Sequence, residues 1–62
     1  MSEIQKAVRS AFASSGLEDS DFNRLRFSEG WDSSFNAYVG GPSRGEAWDR
    51  GRRAGMTYHG VR

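Results

Sequence analysis

Ile4, Val8, Ala11 and Phe12 recur at i, i+4, i+7 and i+8, a single apolar stripe on an amphipathic helix. Ser2 with Gln5 three residues on has the form of a capping box that opens this helix. Gly16, behind Ser14 and Ser15, marks its stop, with Leu17 folding back as the accompanying hydrophobic contact. The spacing predicts a first helix over residues 3–15. Glu18-Asp19-Ser20-Asp21 is an acidic, cap-rich entry to a second helix, since negative charge suits a helix N-terminus. That helix is predicted over residues 20–39. With successive side chains about 100° apart, Phe27, Trp31, Ser34, Phe35 and Tyr38 share one face, and Glu29, Asp32 and Asn36 lie opposite. Phe22 and Leu25 project to nearly the opposite side from Phe27 and Trp31. The pattern therefore predicts two apolar patches: the first turns face Ile4, Val8 and Phe12 of helix one, and the later turns face a third helix. Residues 35–39, FNAYV, are rich in β formers and have an alternative reading as a strand. Gly40-Gly41-Pro42 ends the element. Ser43 with Glu46 repeats the capping-box form and predicts a third helix over residues 44–59, with residues 60–62 fraying.

These elements define an all-α, three-helix miniature domain, one unit over residues 1–62, in which the second and third helices form a close-packed hairpin. An internal repeat supports the pairing. At a constant offset, Phe27 matches Trp48, Gly30 matches Gly51, Ser33 matches Ala54 and Ser34 matches Gly55. Small residues at helical spacing let two backbones approach closely, so Gly30, Ser34, Gly51, Ala54 and Gly55 are the expected helix-crossing residues, in an antiparallel pair that meets near Gly30 and Gly51. A glycine in mid-helix costs about 1 kcal/mol against alanine unless close packing uses it. The rival meaning of these glycines is a ligand approach or a hinge.

AWDRGRRAG, residues 47–55, resembles the first-helix motif of the ribosome modulation factor family, alanine-aromatic-x-x-Gly-x-x-Ala-Gly. FSEGWDSSF, residues 27–35, is similar to that family's second helix, where an aromatic precedes a Gly-Trp pair. The resemblance covers about a third of the chain. It implies a small helix pair that binds the small ribosomal subunit, with RNA contacted through the basic third helix. Here the two motifs stand in reversed order, and the Cys-Pro-Tyr segment between the family's helices and its strong positive charge are absent.

Composition narrows the classes. Sixty-two residues without cysteine exclude disulfides and thiolate metal sites, and a single histidine, His59, leaves no ordinary zinc set. No metal or other cofactor is expected. With one Ile, two Leu and three Val, the eight aromatics must supply most of the burial. A domain this small is marginal, and self-association or partner binding is a natural cover for what the monomer leaves exposed. No apolar run has the length of a membrane span and no leader pattern opens the chain, so a cytoplasmic setting without membrane contact is expected. The net charge is only +1, but it is unevenly placed. Residues 1–35 hold four basic and six acidic side chains, and residues 36–62 hold five basic and two acidic. Such a dipolar chain has weak generic affinity for nucleic acid.

The candidate chemistry is that of contacts rather than catalysis. Arg50, Arg52 and Arg53 invite a phosphate or RNA reading, yet Glu46 stands four before Arg50 and Asp49 four before Arg53, the favourable order for self-neutralising pairs; Arg44, Arg52 and Arg62 have no acid so placed. His59 has no acid at i−4 or i+4 to orient it as a base and is placed to cap the third helix. The carboxylates of Glu18, Asp19 and Asp21 lack the glycine-centred loop of a calcium site. Residues 40–45 are glycine-rich before a helix start but lack the Lys-Ser/Thr of a nucleotide loop. The expectation is a non-enzymatic regulator or inhibitor, of the kind small phage and plasmid genes encode, that binds a larger host protein through aromatic anchors, Trp31 and Trp48 first. The alternative is a ribosome or RNA-binding modulator that uses helix three.

Overall fold

The computed structural model describes residues 2–34 and 44–60. They form three α-helices: α1 (Glu3–Ser14), α2 (Asp21–Ser33) and α3 (Glu46–His59). The all-α reading holds.

Each helix end has a local cause. In α1 the capping box is complete: the Gln5 N–H donates to Ser2 Oγ at 3.1 Å, and the Ser2 N–H donates to Gln5 Oε1 at 3.1 Å. Gly16, at φ 81°, takes the chain out of the helix in the left-handed region, where glycine carries no Cβ penalty. Ser20 caps α2 by accepting the Asn23 N–H at 3.1 Å. The helix stops at Ser33, short of the predicted residue 39. There the Ser34 N–H and Oγ both turn back on the Trp31 carbonyl, at 3.0 and 2.6 Å, and Ser33 Oγ donates to the Gly30 carbonyl at 2.8 Å. Serines bonding three residues back tighten the final turn and close the ladder. Residues 35–39, read as helix or strand, and Ser43 lie outside the described residues. α3 begins at Glu46, not 44. Its cap is Gly45 at φ 108°, with no side-chain hydrogen bond. Gly60, at φ 69°, closes it by donating its N–H to the Met56 and Thr57 carbonyls.

The core lies between α2 and α3. Phe27 and Trp31 are 1% exposed, Ala47 6% and Trp48 7%; each large side chain buried in this way contributes about 1.5–3 kcal/mol. The crossing forms where the sequence places it. A Cβ built on Gly30 would land on the Trp48 carbonyl, and one built on Gly51 would land on the Phe27 carbonyl. In each glycine, the Cα hydrogen that replaces a side chain thus points at the opposite carbonyl, a Cα–H···O contact of about 0.5–1 kcal/mol. The contact is reciprocal: the aromatic three residues before each glycine presents its carbonyl to the other glycine. The offset repeat of the sequence is a local two-fold relation in space.

The sense of the pair differs from the antiparallel expectation. Phe22, Asn23 and Arg26 border Arg44–Trp48, Phe27 meets Gly51, Ser34 meets Gly55, and Trp31 reaches Tyr58 and His59. The contacts climb both helices together, so α2 and α3 run in the same direction. α1 lies antiparallel across both. Phe12 meets Phe27 edge-to-face at 5.4 Å, and at the same end of α1 the Arg50 guanidinium donates to the Ser15 carbonyl. No residue of α1 is fully buried.

Candidate docking face

The aromatics proposed as partner anchors are core. Trp31 lies under Tyr58 and His59, with ring centroids at 5.3 and 5.8 Å, and Trp48 is covered by the Arg44 guanidinium at 5.7 Å from its ring. Both indoles are consumed by the packing of α2 on α3, so neither can enter a partner's pocket. The crossing residues separate as well. Gly30, Gly51 and Gly55 face backbone or buried Ser34. Ala54 instead turns toward α1 and lines the shallow grooves beside Ala11 and Thr57.

The arginines do not form one basic patch. Arg50 pairs with Glu46 at 2.6 Å, as the spacing predicts, and also holds α1 through Ser15. Arg44 stacks on Trp48. Arg52 is half-buried, with its backbone against Gly30. Arg53 is exposed, and Arg62 lies outside the described residues. Among the described residues proposed as contacts, Arg44 and Arg53 are the exposed ones.

The surface that sequence reasoning missed is the outward face of α2. Phe22 is 64% exposed and Leu25 58%. They were expected under helix one, but α1 seats Phe12 on Phe27 and leaves them uncovered. Helical spacing puts Asp21, Phe22, Leu25, Glu29 and Asp32 on one stripe, opposite Phe27, Gly30, Trp31 and Ser34. Glu18, just before the helix, borders the same cleft as Phe22, and these carboxylate residues are all exposed. Arg24 stands on one shoulder, bridging Asp19 at 3.1 Å and Asp21 at 3.0 Å. Arg26 stands on the other, 3.2 Å from Glu29, with its guanidinium 5.4 Å over the Phe22 ring. Beside Phe22 the stripe opens into a cleft of about 370 Å³ walled by Leu17, Arg26, Arg44, Ala47 and Trp48. The signal was present in the sequence: a patch sharing its helix face with three carboxylates cannot be pressed against an apolar neighbour without desolvating them.

This arrangement presents an exposed, charge-framed apolar surface. The His59 ring packs edge-on to Trp31 and Tyr58. No group of three or more His, Cys, Asp or Glu among the described residues could hold a metal ion. No helix among the described residues is long and apolar enough to cross a membrane. Comparison with family models, with curated proteins and with solved structures finds no match for the chain.

Proposed function

We propose that the chain is a small non-enzymatic regulator that docks on the surface of a larger protein, in the cytoplasm, through the outward face of α2. The observation that carries this reading is the exposure of Phe22 and Leu25 on a helix whose opposite face is fully buried. A domain this small has few large apolar side chains, and leaving two of them adjacent and uncovered costs burial that a marginal fold needs. A partner that covers them recovers it. The arginines support the same reading, because Arg24, Arg26 and Arg50 are engaged within the chain and a phosphate backbone would have to compete for them.

Capture by the tagged chain from bacterial lysate, with and without RNase, tests the reading. The expected result is a protein partner retained after RNase and lost from the Phe22→Ser/Leu25→Ser variant. A partner released by RNase but held by that variant would replace this reading with binding to RNA or the ribosome through α3.

A further inference from the structure

We infer that the outward face of α2 takes a basic amphipathic segment of its partner, apolar side chains on Phe22 and Leu25 and cations on the flanking carboxylates. The inference rests on the docking reading above and adds the chemistry of the occupant. Residues 18–32 hold five acidic side chains, Glu18, Asp19, Asp21, Glu29 and Asp32, against two basic ones, Arg24 and Arg26. Both arginines are turned inward to the stripe's own acids, Arg24 to Asp19 and Asp21, Arg26 to Glu29. Glu18 and Asp32, at the two ends, have no cation against them among the described residues. The apolar centre is therefore framed by negative charge at both ends; within α2 itself, Asp21 to Asp32 spans about 16 Å at 1.5 Å per residue. That is the length of about three turns of a partner helix.

Charge complementarity at a rim sets which partners are accepted, because like charges facing each other across an interface are costly. It excludes the other occupants in turn. A phosphate backbone or an anionic lipid surface would meet carboxylates before it met Phe22. A second copy, joined by a two-fold axis through this stripe, would set Asp21 and Glu18 of one chain beside Glu29 and Asp32 of the other. A cationic, apolar helix meets carboxylates at both ends of the stripe, and the arginines on its shoulders are already paired with Asp19, Asp21 and Glu29.

The experiment is backbone-amide NMR on the full ¹⁵N-labelled chain, titrated with two synthetic 18-residue amphipathic peptides. Both have a leucine face; one has lysine on its polar face and the other glutamate. The lysine peptide is expected to shift amides of residues 18–32, and the glutamate peptide to bind at least about ten-fold more weakly. Phe22→Ser/Leu25→Ser should weaken the lysine peptide by a similar factor. Glu18→Lys/Asp32→Lys changes only exposed side chains, so the fold is retained, and it should reverse the preference between the peptides. Equal affinity for both peptides, no binding of the lysine peptide, shifts confined to α1 or α3, or an unchanged preference in the lysine variant would each overturn the inference. Amides of the same stripe that shift with concentration of the chain alone would give the face to a second copy instead. In any of these cases, an RNase-resistant partner lost from Phe22→Ser/Leu25→Ser leaves the docking function standing, so the two failures are distinguishable.

Discussion

At the crossing of α2 and α3, single atoms decide stability. Gly51→Ala would gain about 1 kcal/mol of helix propensity at an open site. Here its methyl would fall on the Phe27 carbonyl, and overpacking of this kind typically costs about 1–3 kcal/mol. A lower melting temperature is expected, for Gly30→Ala as well, with about 4–8 °C lost per kcal/mol in a domain of this size. A raised melting temperature in calorimetry would show that the two backbones do not touch there. The neighbouring pair tests the two-fold relation. A Cβ on Gly55 would stand 2.6 Å from Ser34 Oγ and 2.9 Å from Ser34 Cβ, so Gly55→Ser alone overfills the site. Ser34→Gly makes room on the other side. The exchange Ser34→Gly/Gly55→Ser should therefore be more stable than the two single changes sum to, by about 0.5–3 kcal/mol. Strict additivity in chemical denaturation would deny the relation.

Among the helices, α1 is held least. It has no fully buried residue, and its chief attachments are the Phe12–Phe27 ring contact and the Arg50 bond to Ser15. Its amides should exchange with solvent from a lower-energy opening than those of the α2–α3 core. Arg50→Met should widen that gap by about 1 kcal/mol or less, because the bonds it removes are partly solvated. Hydrogen exchange that slows equally in all three helices would contradict this. Much of this architecture was legible in the residues. The Ser2–Gln5 box, Gly16 and the matched glycines placed α1 and the packed pair directly, because caps and close approaches are short-range and leave one residue little choice. The sense of the pair was not legible, since small residues at helical spacing serve parallel and antiparallel crossings alike. Nor was the end of α2, where Ser33 and Ser34 satisfy carbonyls by turning back, a choice that helical periodicity does not register. The exposure of Phe22 and Leu25 was not legible while they were counted as apolar without weighing the carboxylates of Asp21, Glu29 and Asp32 beside them. The tryptophans were misread for a different reason: in a chain with so few aliphatic residues, the indoles are needed as core before they can serve as anchors.

For the molecule as a whole, acidic α2 and arginine-rich α3 give opposite poles, and the pole that binds determines the response to salt. An RNA partner held through phosphates would weaken by roughly 0.7–0.9 log units per contact for each tenfold rise in salt. The docking reading predicts that Arg44, Arg52 and Arg62 all changed to Gln keeps most of the partner in the lysate capture and leaves its salt dependence unaltered; loss of the partner from this variant would move the function to α3. The reciprocal glycine contact also governs how the chain reaches its native state. Its acceptors are main-chain carbonyls of Phe27 and its donors include Gly51, which are 24 residues apart in sequence, and such groups face each other only when both segments are already helical. Helices of 13 and 14 residues, each weakened by a glycine, are marginal alone. Neither is stable enough to wait, formed, for the other, so the two are expected to condense together, with the crossing part of the folding transition state. Gly30→Ala and Gly51→Ala should then slow folding in stopped-flow mixing while leaving the unfolding rate nearly unchanged, whereas changes in α1 should act on unfolding.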